Sequence, residues 1–266
     1  MLSWLNNIIN KLSGLESASR KRLRRKPFPE KWETILQRDF ALWKSLKPST
    51  KEKIRQDILV FTGEKIFEGC GGLKITDQMK VLTAAQAVLL IQGGISDFYP
   101  TLNAVLMYPT KYKAKVNNRD ATGIVSVGTQ WRAGESWSGG NVVLAWDEVK
   151  RGASNSSDAR NLVFHEFAHQ IDTDLGITSK TEAWTEARAE PDSEWIKLYS
   201  EEFMDFLETI QLRRQTIFDT YGSQNAAEFF AVVTESFVEQ HQLFRQKHPR
   251  LFDLFKELYG FDPANI

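Results

Sequence analysis

The segment His165-Glu166-Phe167-Ala168-His169 places two imidazoles four residues apart with a carboxylate beside the first. On a helix, positions four apart differ by about 40° around the axis and about 6 Å along it, so both rings can face one cation. Glu166 is turned about 100° from one histidine and about 60° from the other, next to the coordination position such a cation leaves open. A carboxylate there can take a proton from water and hand it to a leaving amine, the chemistry of metal-assisted peptide hydrolysis. Chance produces the pattern on the order of once in 200 chains of this composition. The ordinary alternative is a helix whose histidines are satisfied core or surface residues. Context opposes it, because two of the four histidines stand here among Leu162, Val163, Phe164, Phe167, Ala168 and Ile171. Burying two imidazoles and a carboxylate in such company is costly without a compensating charge.

A catalytic zinc takes a third protein ligand. Spacing leaves it undecided among the downstream carboxylates Glu182, Glu186, Glu190, Glu228 and Glu235. A ligand about twenty residues past the motif would be Glu186 or Glu190. Glu228 opens an apolar helical stretch, and Asn225 with Glu228 has N-cap and N3 spacing, which accounts for that glutamate without any metal. Asp172 shares the helical face of the histidines, and Glu235 lies two turns after Glu228. Each could orient an imidazole or be an ordinary solvated or capping carboxylate. His241 and His248 lack partners at metal spacing, and Cys70, between glycines, reads as a small packed residue.

The elements that must position these groups are mostly helical. Periodicity predicts helices over residues 30–46, from Ser49 through Phe61, and over 77–91, 158–172, 194–218 and 226–258, the last with a break at His248-Pro249. Ser49 and Glu52 have the spacing of a capping box, and residues 77–91 are apolar almost all round, as in a core helix. Short β-branched runs at 104–108, 123–127 and 141–146, set off by glycine, asparagine and proline, predict a small sheet that is mixed or antiparallel. Many helices around a few central strands make the fold class α+β. Residues 141–146, just upstream of the histidines, are either an edge strand offering backbone hydrogen bonds to an extended peptide or an ordinary interior strand.

Composition sets the outer limits. The chain has 266 residues, 42% hydrophobic and 26% charged, which excludes disorder throughout and allows one large domain or two small ones. With 34 basic and 34 acidic side chains, the overall balance suggests no nucleic-acid coating. The single cysteine forms no internal disulfide, so a reducing, cytoplasmic setting is expected. The first twelve residues are too short and too interrupted for a membrane span. The basic run from Arg20 to Lys26 follows the apolar residues, whereas a secretory signal carries its charges first. Residues 1–26 therefore read as a mobile, solvated leader, with contact to a membrane surface or a partner as the alternative. Direct nucleic-acid binding through residues 20–26 has no fold-level motif behind it.

Six motifs occur in order: Pro27-Phe28-Pro29-Glu30-Lys31-Trp32, Phe67-Glu68-Gly69-Cys70-Gly71-Gly72-Leu73, Leu106-Met107-Tyr108-Pro109, Gly134-Glu135-Ser136-Trp137, His165-Glu166-Phe167-Ala168-His169-Gln170-Ile171-Asp172 and Ala227-Glu228-Phe229-Phe230-Ala231-Val232. In this combination, across residues 27–262, the chain resembles the Mlc titration factor A family. The resemblance implies a cytosolic bacterial zinc metallopeptidase with aminopeptidase activity and one zinc ion per chain. It also implies a mainly helical zincin-like fold with a catalytic region similar to that of anthrax lethal factor. In some bacteria the family member binds and inactivates the glucose repressor Mlc. Residues 27–262 would then be one domain, with a helical part over 27–115 and a catalytic part over 116–262.

Carried over by motif, His165, His169 and Glu228 would be the zinc ligands and Glu166 the general base. Tyr221, seven residues before Glu228, matches a tyrosine near the metal in that family, where a phenol can donate a hydrogen bond to an oxyanion. By itself Tyr221 reads as a loop aromatic that packs its ring. Residues 175–190 depart from the Asp-Gly-containing stretch expected in many members, and the leader has no assigned counterpart. The reading is thus hydrolysis of a peptide substrate. The competing reading is a non-catalytic protein that sequesters a transcription repressor of the Mlc type.

Overall fold

The computed structural model describes residues 17–119, 125–137, 140–179, 181 and 194–266, with the backbone alone for 113–119, 125–132 and 135–137. Its central sheet has four short strands in the spatial order β1 (Ile66–Gly69), β2 (Ala104–Tyr108), β6 (Asn141–Ala145) and β5 (Gly134–Trp137). The first three run parallel, with Val105 opposite Phe67 on one side and Val142 on the other. β5 returns antiparallel, Gly134 opposite Leu144 and Trp137 opposite Asn141. The sheet is therefore mixed. The strand at 141–145 is interior, and the margins are β1 and β5. Val142, Val143, Leu144 and Ala145 are all buried, the continuous apolar run expected of a parallel strand covered on both faces. A separate antiparallel pair, β3 (Tyr112–Arg119) with β4 (Val125–Arg132), comes between β2 and β5 in the chain. It overlaps the strand predicted at 123–127, part of which lies outside the described residues.

Helices pack around this sheet and give a mainly helical α+β fold. They are α1 (Ala18–Arg24), α2 (Glu30–Asp39), α3 (Pro48–Glu64), α4 (Asp77–Leu90), α5 (Trp146–Ser154), α6 (Leu162–Leu175), α7 (Glu194–Gln211), α8 (Ala226–Glu239), α9 (His241–Lys247) and α10 (Pro249–Tyr259). As its composition predicts, α4 is a core helix, buried continuously from Val81 to Leu90. α6 lies between α4 and α8. Its core side carries Phe167, whose ring is 4.8 Å from Tyr99 and 5.7 Å from Phe61. The far side of α8 is an aromatic seam: Phe229 meets Phe206 at 4.8 Å, and Phe230 meets Phe255 at 5.4 Å. Contacts of this kind anchor the two site-bearing helices from behind.

Several boundaries differ from the sequence reading. α3 starts at Pro48 with Lys47 as N-cap and no side-chain cap bond, so Ser49 and Glu52 form no capping box. The proline presets the first helical φ instead. The helix expected over 30–46 stops at Asp39, because Phe40 is extended, and resumes as a 3-10 turn at Ala41–Lys44. The stretch after Ala226 breaks at Gln240 as well as at His248.

Two residues of the basic run, Arg20 and Arg24, are not solvated. Arg20 pairs with Glu64 at 2.6 Å and with Asp97, Arg24 pairs with Asp57, and the two guanidinium groups lie 4.9 and 5.5 Å from the Phe98 ring. Leu23 fills the space over Gly63, where a Cβ would meet its Cδ2 at 2.8 Å. α1 is thereby fastened to α3 and the loop after α4. Residues 1–16 lie outside the described residues. No described helix is long and apolar enough to cross a membrane.

Candidate metal centre

The site is assembled where the N-terminal turns of α6 and α8 meet. Asn161 is the N-cap of α6, its Oδ1 accepting from Val163 N and Phe164 N at 3.1 and 3.2 Å. The helix therefore begins four residues later than the periodicity suggested. Asn225 caps α8 by accepting from Glu228 N at 2.9 Å. The Glu228 carboxylate does not complete a capping box but points at the histidines. The same residue thus supplies an N–H to the cap and a carboxylate to the site.

Three donor atoms converge. His165 Nε2 lies 3.0 Å from Glu228 Oε2 and 3.3 Å from His169 Nε2, and His169 Nε2 lies 3.5 Å from the same oxygen. His165, His169 and Glu228 form the one group among the described residues with metal-holding geometry. Around a tetrahedral zinc with bonds of about 2.0–2.1 Å, neighbouring donors are about 3.3 Å apart. The triangle in this chain has edges of 3.0, 3.3 and 3.5 Å, so its donor set fits such an ion. Glu182, Glu186 and Glu190, the other carboxylates considered for third ligand, lie outside the described residues.

Charge at the centre points the same way. Burial opposes a charged His165, yet Glu228 and Glu235 outweigh it and hold its pKa well above the ordinary value. Burial also works to raise Glu228, but hydrogen bonds to His165 and His169 bring it down to about 2. The surrounding carboxylates favour a positive charge between the two rings. Glu166, 5% exposed and pushed up to about 7 by burial against the pull of both histidines, lies under Gly134 of β5.

Glu235, from the second turn after Glu228 on α8, stands on the other side of the His165 ring. Its Oε1 is 2.9 Å from His165 Nδ1, within hydrogen-bond reach of the ring nitrogen that faces away from Glu228. Its Oε2 accepts from the backbone N–H of Asn161. Asn161 Nδ2 donates to Glu239 Oε1 at 2.9 Å, so one asparagine ties the start of α6 to two acids of α8. The sequence reading missed Asn161 and Glu239. The signal for Asn161 was an N-cap residue type directly before the apolar periodicity.

Asp172 serves the other end of α6. Its carboxylate accepts from the N–H and the hydroxyl of Thr178, closing the turn beyond the helix, and bonds no imidazole among the described residues. The Tyr221 ring stands half exposed with its centroid 5.9 Å from that of His165. His241 and His248 are not part of the donor group, and the Cys70 N–H donates to Met107 O in the turn after β1.

A family model described as glucose-regulated metallo-peptidase M90 matches residues 15–260. An uncharacterized Synechocystis protein, slr2042, is 31% identical over 244 residues, covering 91% of this chain and 88% of its own length. Mlc titration factor A of Serratia proteamaculans is 26% identical over 244 residues, 87% of this chain and 89% of its own. The protein of the same name in Pectobacterium atrosepticum is 30% identical over 201 residues, 72% and 71% of the two chains.

Proposed function

The chain belongs to the glucose-regulated metallo-peptidase M90 family, and from that premise we propose that it is a zinc-dependent aminopeptidase whose centre is held by His165, His169 and Glu228. The observation that carries the reading is the convergence of those three donors from two helices onto one point. Zinc bound there supplies Lewis-acid polarisation of the scissile carbonyl and acidifies a water. Glu166 accepts the proton of the attacking water and passes it to the leaving amine. Tyr221, at the exposed rim beside His165, donates a hydrogen bond to the oxyanion of the tetrahedral intermediate. Glu235 keeps the His165 ring in the tautomer and orientation a ligand needs.

An extended peptide needs backbone partners. Among the described residues β5 pairs with β6 alone, and it packs against α6. Strand addition there would bring a scissile bond past Glu166.

The test is metal analysis together with hydrolysis of amino-acid 4-nitroanilides with free and with acetylated amino groups. The parent should hold one zinc and cleave the free-amine substrates alone. Glu166→Gln should keep the zinc and lose about 10²–10⁴-fold in kcat. Glu228→Ala should lose the zinc. Zinc retained by Glu228→Ala overturns the ligand set, and hydrolysis retained by Glu166→Gln overturns the base. Cleavage of acetylated substrates overturns the exopeptidase assignment.

The name of the relatives, Mlc titration factor A, supports a second activity, binding of a transcription repressor of the Mlc type in the cytoplasm. Glu166→Gln should leave that binding intact, which size-exclusion chromatography with the purified repressor would show.

A further inference from the structure

Gly134 opens the Gly-Glu-Ser-Trp motif, of which the catalytic reading uses the strand but not the glycine. Its backbone lies outside the left-handed region and its register opposite Leu144 is that of an ordinary antiparallel strand, so conformation alone does not require a glycine. Glycine inside a strand weakens it, and the usual reason for one is a close approach. Here the approach is to Glu166: a Cβ on Gly134 would lie 2.3 Å from Glu166 Oε1, 2.8 Å from its Cδ and 2.6 Å from Leu162 Cδ1.

We propose that Gly134 is a positioning residue for Glu166, its missing side chain letting the margin strand close onto the carboxylate and fix where it sits. The inference rests on the reading of Glu166 as general base. The atoms in the way of a methyl group are the free ends of two side chains, not backbone. The fold can therefore admit an alanine, but only by moving the carboxylate about 1 Å to regain ordinary contact. A displacement of about 1 Å costs a reaction roughly 10²-fold. Glycine at this position protects the chemistry, not the strand.

The experiment is Gly134→Ala in the zinc-loaded protein. A kcat lowered roughly 10²-fold, with KM within a few-fold of the parent and the zinc content unchanged, is expected. A second readout needs no activity. In the metal-free protein Gly134→Ala should lower Tm, and by clearly less when Glu166→Ala has removed the carboxylate. An unchanged kcat, or the same Tm loss in both backgrounds, overturns the proposal. If Gly134→Ala does not fold, the pair Gly134→Ala with Leu162→Ala clears the aliphatic half of the overlap, and the same kcat loss is required of it. Where Glu166→Gln is inactive and Gly134→Ala is not impaired, only the role of Gly134 falls. Where Glu166→Gln stays active, the base assignment itself falls, and the Tm coupling alone then decides whether the contact exists.

Discussion

Glu235 and Glu239 lie one turn apart on α8, both buried, and only the first faces a histidine. Glu239 accepts from Asn161 Nδ2, while its Oε2 has no hydrogen-bond partner among the described residues. Burial raises its pKa to about 8, with the neighbouring Glu235 charge adding to the effect and the Asn161 bond opposing it. The folded chain thus keeps a proton that the unfolded chain releases above a pH of about 4.5. The sign follows: the contribution is fully present below that pH, falls by up to ~1.4 kcal/mol per unit as pH rises, and levels off beyond pH 8. Glu239→Gln has the same shape and does not titrate. It is expected to match the parent near pH 4.5 and to exceed it at pH 8 by at most ~5 kcal/mol, as urea melts at the two pH values would show. Parallel stability curves would contradict a buried neutral Glu239. At this scale the histidines and Glu166 were legible because their spacing alone implies a shared face. Glu228 was ambiguous for a physical reason: its N–H belongs to a cap and its carboxylate to the site, and local pattern shows only the cap. Glu235 could be ranked no higher than other acids until the crossing of α6 and α8 set it against His165.

The start of α6 depends on one asparagine with three uses: cap, donor to Glu239 and backbone donor to Glu235. Gly152 of α5 makes room for it, since a Cβ there would lie 2.9 Å from Asn161 Cγ. Asn161→Ala loses the cap, about 1 kcal/mol, and leaves the Glu239 carboxyl short of a donor, a further ~1–3 kcal/mol. Metal-free Asn161→Ala should therefore unfold in urea with ~2–4 kcal/mol less stability. It should also bind zinc more weakly, because the turn carrying His165 is no longer held. A loss below about 0.5 kcal/mol would deny Asn161 this role. The helix start was placed too early because Asp158, Ala159 and Arg160 are acceptable helix residues. Ala159 instead takes φ 52°, a left-handed conformation, where its backbone lies near the Glu239 carboxyl. That contact comes from a distant helix. β1 and β5 escaped notice for a similar reason, as four residues each, with a glycine at one end, give little periodicity. The parallel pairing of β1 depends on β2, far along the chain, whereas β5 pairs with β6 directly after it.

The whole molecule brings together parts that are remote in sequence, and so do its least legible features. Arg20 and Arg24 resembled a solvated leader because their partners Glu64, Asp97 and Asp57 belong to other elements. The proposed metal centre is a second long-range case, joining α6 to α8 across the residues that include α7. An ion held by His165, His169 and Glu228 is a cross-link between helices that the unfolded chain does not contain, so it stabilises the native state by mass action. Free zinc at a thousand times its Kd contributes about 4 kcal/mol. In a chain of this size each kcal/mol moves Tm by about 2–4 °C, so chelation should lower Tm on the order of 10 °C. Glu228→Ala should start near the Tm of the chelated parent and respond little to added zinc, since two imidazoles on one helix no longer tie it to the other. Calorimetry with and without chelator decides the matter. A parent Tm indifferent to chelation would mean that no ion braces these helices, whereas a full zinc response in Glu228→Ala would mean that the brace runs through a different acid.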